Sequence, residues 1–497
     1  MTSTFLLGAA DSPGVDIVGG KGHGLLVCAR LGLPVPPGFV IGTDAWQAWS
    51  GTRTDGTARP GARLPDEVSA AVAAGLAHVE AETGRTLGGD RPLVVSVRSG
   101  SAVSMPGMLS TVLDVGLTTD ATAALAAETG DEQFAGDCRR RLREGWATVD
   151  RHGAPPDDAS AQVEQAVAAV LDSWGAPRAR TYRLLHGIPD DAGTAVVVQA
   201  MVFGNRDARS GSAVVQSRDP LTGAPGPVGD ALVRHQGADV VDGTSAVRPV
   251  TDLAAVAPDA WADLRAALDV LERRYRDAVE VEVTVESGRL WLLQVRRATL
   301  SGRAAVRVAV DLVDEGLLDR GEAVRRVTAA HLRQARVPHL DPAHPHDVVT
   351  RGTPASPGVA AGRVALTSAA AVRLAVDGPV LLVRPETSPE DLPGFRAAVG
   401  VLTARGGASS HAAVVARSLG LPAVVGAADV EVDVACGVVR VGRRTVTEGD
   451  LLAADGSTGL VVAGTPRVVT GGADDALRRL LDWVDEATAE EPAEEDG

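Results

Sequence analysis

The sequence predicts a multidomain protein that combines α/β and α+β architecture. Its 497 residues exceed what one hydrophobic core usually serves, and the split of 45% hydrophobic to 23% charged is that of a globular chain. Helical apolar spacing and short strand-like apolar runs alternate along most of the length. One proline- and histidine-rich stretch, ARVPHLDPAHPHDVVTRG at 335–352, breaks that alternation and divides the chain.

Composition narrows the function classes. A net charge of −16 leaves no electrostatic footprint for nucleic acid. Cys28, Cys138 and Cys436 are odd in number and far apart, which fits neither a disulfide framework nor zinc-ligand spacing. The start, MTSTFLLGAADSPG, lacks the basic segment of a signal peptide. The most apolar run, AVVVQAMVF, is too short to span a bilayer and suits a buried strand. A cytoplasmic protein with no membrane or nucleic-acid partner is the expectation.

In chain order, residues 1–50 join glycine turns, a helical pattern (GLLVCARLG) and a proline-stiffened run into a strand, PVPPGFVI. Residues 92–115, PLVVSVRSGSAVSMPGMLSTVLDV, give a strand, a Gly/Ser/Pro loop and a second apolar segment. Residues 118–190 read mostly as helix, as in QVEQAVAAVLDSW. From 193 strands take over: TAVVVQAMVFG, GSAVVQSRDP, and VEVEVTVESGRLWLLQVRR, a hairpin by pattern that turns at SG. Helices follow to about residue 334. Residues 353–470 read as a compact unit of short apolar strands with one helix after residue 410. The end comprises an amphipathic helix, DDALRRLLDWVDEA, and an acidic tail, EEPAEEDG.

Four stretches carry chemistry. In VGGKGHG, Lys21 is the one lysine of the chain, against 47 arginines (48 basic residues less one). An ammonium among glycines ahead of a helix can reach a phosphate that backbone N–H groups also approach. Arginine is a broad fork, so a tight phosphate pocket can refuse it; a surface lysine is the alternative. In SVRSGSAVSMPGM, Arg98 ends a strand before small residues and can hold a second phosphate. In EVEVTVESGRLWLLQVR, Glu280, Glu282, Thr284 and Glu286 share a strand face, and Gln294 and Arg296 lie on the return. Such oxygens suit Mg²⁺ chelated by nucleotide phosphates; a solvated polar face is the alternative. In VLTARGGASSHAAVVARSLGLPAVVG, a strand leads through a Gly/Ser loop into a helix, with Ser409 or Ser410 as N-cap and His411 in the first turn. There a neutral imidazole can attack phosphorus and pass the group on, while the helix N-terminus meets the charge. A packing or capping histidine is the alternative.

Together and in order, GGKGHGLLVCARLGLPVPPGFVI, VSVRSGSAVSMPGMLSTVLDVGL, SWGAPRARTYRLL, GTAVVVQAMVFGN, SRDPLTG, RLWLLQVR, GTPASPGVAAGRV and TARGGASSHAAVVAR make the chain resemble the pyruvate, phosphate dikinase family. Phosphoenolpyruvate synthase is a more distant relative. The resemblance covers nearly the whole chain. It implies an ATP-grasp nucleotide-binding region of several subdomains at 1–335 and a Pro/His-rich linker at 336–351. A swivelling β/β/α phosphohistidine domain would follow at 352–470, then a C-terminal helix and acidic tail at 471–497. By motif match, Lys21 and Arg98 would contact ATP phosphates, and Met105 and Ser212 would join the nucleotide site. Glu282 and Gln294 would hold Mg²⁺ with the nucleotide, Arg296 would stand beside the phosphates, and Glu280 would occupy the usual place of an aspartate. His411 matches the phosphorylated histidine, on a loop of Gly406, Gly407, Ser409 and Ser410 in which Ser409 replaces the usual threonine. The implied reaction is attack by His411 on the β-phosphoryl of ATP, release of AMP, and capture of the γ-phosphoryl by inorganic phosphate.

The sequence also departs from the family. GDALVRHQGADVV has Asp230 and Ala238 where glutamates are expected. The family continues into a (β/α)₈ barrel for phosphoenolpyruvate and pyruvate, which needs about 200 residues or more; here 27 follow residue 470 (497 − 470). The leading expectation is therefore a half-enzyme that charges His411 from ATP and phosphate and serves a separate pyruvate-binding barrel protein. A phosphotransferase to another small-molecule acceptor, in the manner of rifampicin phosphotransferases, is the second reading. A non-catalytic nucleotide-binding regulatory protein is the third; retention of Lys21, Arg98, Glu282, Gln294, Arg296 and His411 argues against it. A homodimer is a further expectation.

Overall fold

The computed structural model describes residues 2–9, 13–51, 63–103, 105, 107–150, 153–241, 247–341, 343–470 and 474–490. Ser104 and Pro106 of the SMPGM segment and the acidic tail after 490 lie outside the described residues. The chain forms two units: Met1–Ser210 with Val283–Arg296, and Gly211–Glu282 with Arg297–Gly497.

The first unit is built on an antiparallel sheet of β1 (Thr4–Leu6), β2 (Gly38–Ile41), β3 (Val95–Gly100), β4 (Thr111–Val115) and β5 (Ala195–Ala200), ordered β1-β2-β5-β3-β4. Both faces are covered, which is why β5 is apolar at every position but Gln199. Phe39, Ile41, Val196 and Val198 face a large core with Trp49, Trp146 and the helix Ala159–Ser173. Val40, Ala195 and Val197 face the helix Val15–Arg30 through Val18, Leu25 and Leu26. The period of two along each strand thus feeds two cores at once.

In the second unit β6 (Gly211–Arg218), β7 (Pro225–Val233), β8 (Arg248–Pro249) and β9 (Val279–Glu286) lie in the order β9-β6-β7-β8. Asp230 stands opposite Val214 on β6. From β9 the chain turns at Ser287 and Gly288, both at positive φ (50° and 84°), into β10 (Arg289–Arg297). Two successive positive φ values are what a two-residue hairpin turn requires.

Residues 336–351, read from the sequence as a linker, include strand structure. β11 (Pro338–Leu340) pairs with β23 (Val468–Thr470), and β12 (Val348–Arg351) pairs with β22 (Leu460–Ala463). His344 lies against Asp341, which also meets Arg467. β12 opens an eight-stranded sheet completed by β13 (Thr353–Ser356), β14 (Val359–Ala365), β15 (Val380–Arg384), β16 (Gly400–Thr403), β17 (Ala423–Val425), β21 (Leu451–Asp455) and β22. Its order is β12-β22-β21-β14-β15-β16-β17-β13, with β14 to β17 parallel. One face buries Leu381, Val383, Leu402 and Val424 against a small sheet of β18 (Val430–Asp433), β19 (Val438–Val441) and β20 (Arg444–Thr447). The other buries Val380, Leu382, Val401 and Val425 against helices that include His411–Leu419. The C-terminal helix Asp475–Glu490 packs Leu477, Leu480 and Trp483 on the helix Gly302–Asp314. Among the described residues no helix is long and apolar enough to cross a membrane.

Candidate functional site

In the first unit the VGGKGHG segment breaks its own helix. Gly19 sits at φ 67°, ψ 165° inside Val15–Arg30, and a Cβ there would stand 1.9 Å from the Gly100 carbonyl oxygen. Only glycine allows both that backbone and that approach. Gly20 N–H then donates to Ser101 O at 2.8 Å, so half-buried Lys21 lies at the end of β3, the strand that carries Arg98. Buried Arg98 donates to Leu293 O at 3.0 Å and to Gln199 Oε1, while Gln199 Nε2 holds Pro36 O at 2.9 Å. Leu293 precedes Gln294, and Gly24 packs on Val295, which precedes Arg296. Lys21, Arg98, Gln294 and Arg296 therefore sit on neighbouring segments of one unit. Met105 is buried with Met108, Trp174 and Ala179.

In the second unit Glu280 is buried and Glu282 half-buried. The polar face of β9 is therefore no solvated surface: Gln216 Nε2 donates to Glu280 Oε2 at 2.8 Å. Ser212, fully buried on β6, donates to His235 O at 3.0 Å. Ala238 belongs to the short helix Gly237–Val241. Among the described residues no group of three or more His, Cys, Asp and Glu side chains gathers as a metal centre. The side chains of Glu282, in the second unit, and Gln294, in the first, each carry an oxygen of the hard donor type that Mg²⁺ takes.

The helix His411–Leu419 starts where the Gly/Ser loop ends. Ser410 is its N-cap (φ −64°, ψ 159°), its side chain accepting from Ala413 N–H at 3.5 Å, which makes His411 the first helical residue. The imidazole is half-buried, edge-on to Phe395 at 6.2 Å, with Nδ1 3.2 Å from Thr387 Oγ1. If Nδ1 carries the proton, its N–H donates to the Thr387 hydroxyl oxygen and leaves the Nε2 lone pair for attack. Burial lowers the His411 pKa, opposed by the nearby Asp391 carboxylate, so the neutral ring is favoured. Asp391 is itself buried, bonded to Ser388 N–H at 3.1 Å and 3.4 Å from Arg384 Nε.

The loop before His411 is held from two sides. Arg417, only 2% exposed, donates to Thr299 O (3.2 Å), Ala355 O (2.9 Å) and Ala408 O (3.0 Å). Asp230 Oδ2 accepts from Ser409 N–H at 2.7 Å, and a Cβ at Gly407 would stand 2.4 Å from that same oxygen. Burial raises the Asp230 pKa; the Ser409 hydrogen bonds and the Arg417 charge oppose the rise. Asp230, which the sequence flags as an oddity of the nucleotide region, thus contacts the histidine loop. Sequence reasoning missed Thr387, Gln216 and Arg417. Gln216 could have been noticed as a lone amide in the apolar run SAVVQ; Thr387 and Arg417 give no local signal.

Comparisons with known proteins agree with this arrangement. Residues 60–251 match the model of the pyruvate phosphate dikinase AMP/ATP-binding domain. Residues 376–459 match that of the PEP-utilising enzyme mobile domain. The chain is 37% identical to a pyruvate, phosphate dikinase of Rhizobium meliloti (strain 1021), over 97% of this chain and 60% of that protein. It is 38% identical to the chloroplastic enzyme of Flaveria pringlei (95% and 54%) and 39% identical to pyruvate, phosphate dikinase 2 of Zea mays (95% and 58%). The chain therefore spans between half and two thirds of these relatives' length. A nucleotide-binding domain precedes a mobile phosphohistidine-type domain in it, and the chain belongs to the pyruvate, phosphate dikinase family.

Proposed function

We propose that this chain phosphorylates its own His411 from ATP and offers the phosphoryl group to an acceptor site outside residues 1–497. In this reading the first 335 residues act as an ATP-grasp nucleotide-binding region and 352–470 as the domain that swings His411 between sites. The observation that carries it is the setting of His411: first residue of a helix, lowered pKa, and Nδ1 against the Thr387 hydroxyl.

His411 Nε2 attacks the β-phosphorus, the N–P bond forms, and the bond from that phosphorus to the oxygen bridging to the α-phosphorus breaks, so AMP departs with that oxygen. An oxygen of inorganic phosphate then attacks the γ-phosphorus, pyrophosphate leaves, and phosphohistidine remains. Lys21, Arg98 and Arg296 neutralise charge gathering on the phosphate oxygens. Glu282 and Gln294 would hold Mg²⁺, which supplies further charge neutralisation on the nucleotide phosphates. Thr387 keeps the ring proton on Nδ1 throughout. The acceptor in this reading is pyruvate, held at a site outside residues 1–497.

Incubation with β-labelled and γ-labelled ATP, with and without phosphate, tests this. Acid-labile label from the β position, lost in His411→Ala, is expected; its absence under every condition would sink the proposal. Addition of pyruvate and a barrel-bearing partner then decides the acceptor. Discharge to another small molecule would favour the rifampicin phosphotransferase-like reading.

A further inference from the structure

Two buried polar side chains of the β6–β7–β9 strands are spent on the loop that carries His411. Asp230, 8% exposed, bonds Ser409 N–H and presses on Gly407. Gln216, 1% exposed, gives one Nε2 hydrogen to Glu280, while the same nitrogen lies 3.5 Å from Ser409 Oγ. Its Oε1 has no hydrogen-bond partner among the described residues. A buried carboxylate and a half-satisfied buried amide both carry desolvation penalties that an apolar pair of similar volume would avoid. Packing alone therefore gives no reason for them. What they share is the loop, and through Gln216 that loop is joined to Glu280.

We infer that Asp230 and Gln216 form a latch that holds the unphosphorylated histidine loop beside Glu280 and links the engagement of Glu280 to release of the loop. The inference rests on the reading of Glu280 as a nucleotide-contacting residue and of His411 as the phosphorylated one. While Glu280 accepts from Gln216, the amide is fixed with Nε2 toward Ser409. Once the carboxylate is drawn to a nucleotide, the amide loses the partner that fixes it, and Ser409 Oγ loses its neighbour. Asp230 and Arg417 are then what hold the loop. A phosphoryl group on His411, two residues along the chain, places like charge near that carboxylate and weakens the remaining hold. Asp230 and Gln216 are positioning residues: they act on His411 through the loop.

Hydrogen–deuterium exchange on the full chain tests the latch without ATP. In Asp230→Ala, exchange of the peptide containing Gly407 and Ser409 should rise ten-fold or more, with peptides from β14 to β16 unchanged. Asp230→Asn retains an acceptor oxygen and should stay within about three-fold of the wild type. Saturating ATP should raise exchange of the same peptide in the wild type but not in Gln216→Met. In single-turnover labelling, Asp230→Ala should slow formation of phospho-His411 at least ten-fold while the ATP dissociation constant stays within two-fold. Unchanged loop exchange in Asp230→Ala, or a rise spread over the whole sheet, overturns the latch. So does loosened exchange with an unaltered labelling rate. If the wild type takes up no label, the functional reading fails, and the exchange of the ATP-free loop still reports on the hold itself.

Discussion

Replacing Thr387 by valine removes one hydroxyl and keeps the shape of the side chain. In the resting enzyme the contact with His411 Nδ1 is 3.2 Å long and joins two neutral groups. Such a bond is worth about 1 kcal/mol. As Nε2 attacks phosphorus, the ring gains positive charge, and a charge-assisted bond is roughly twice as strong. The loss that matters to the rate is the difference, about 1 kcal/mol, or roughly five-fold. Thr387→Val should therefore slow phosphorylation of His411 about five-fold in single-turnover labelling with ATP, with no change in ATP affinity. Thr387→Ser should recover most of the rate, because its hydroxyl can reach the same nitrogen. Nitrogen-15 NMR of the ring should show the proton on Nδ1 in the wild type and a mixture of tautomers in the valine variant. A Thr387→Val rate equal to wild type, or a wild-type ring protonated on Nε2, would refute the reasoning.

Two further outcomes follow from the same geometry. Burial lowers the pKa of His411 and Asp391 only partly offsets it, so the neutral nucleophile persists to below the ordinary value of 6.5. The phosphorylation rate should be flat above pH 6.5 and fall as pH drops through that lowered pKa; a half-maximum above 6.5 in a rate profile contradicts this. Gly19→Ala puts a Cβ 1.9 Å from the Gly100 oxygen at φ 67°. Backbone strain alone costs about 1–3 kcal/mol there, which for a unit of this size should lower the melting temperature by about 5 °C. Calorimetry showing an unchanged transition would mean that the helix break is not needed.

Much of the fold is legible because its signals are local. AVVVQA reads as a two-face strand since both flanking cores demand apolar residues, and SG marks the β9–β10 turn because both positions need positive φ. The setting of His411 is legible for the same reason: cap, helix start and glycine loop lie within a few residues. What escapes is long-range. Thr387 meets His411 across 24 residues, Gln216 meets Ser409 across 193, and Asp230 meets Ser409 across 179. No periodicity encodes such partners. The Pro/His-rich stretch misleads in the opposite direction, since short strands such as β11 are defined by a distant partner, Val468–Thr470, rather than by any pattern of their own. Asp230 is the instructive case. Its departure from expectation is visible in the sequence, but its meaning depends on a loop that only folding brings to it.

A loop that must be held and then released needs contacts of intermediate strength, and the magnitudes here fall in that range. Two charge-assisted bonds tie the phosphohistidine part to residues before 336: Ser409 N–H to Asp230, and Arg417 to Thr299 O. Each is worth about 1.5–3 kcal/mol, so together they hold with roughly 3–6 kcal/mol. Moving a two-state equilibrium from 99:1 to 1:99 takes about 5.5 kcal/mol. His411 lies within about 7 Å of Ser409 along the chain. At that distance each unit of like charge is worth about 2 kcal/mol for an effective dielectric near 20. A phosphoryl dianion held about that far from the Asp230 carboxylate would weaken the hold by about 4 kcal/mol. A lysine in place of Gln216 would hold the loop too firmly once phosphorylated, and an alanine in place of Asp230 would not hold it beforehand. In the proposed latch, one carboxylate and one neutral amide are the pair that holds the loop beforehand and is weakened when charge is added to His411.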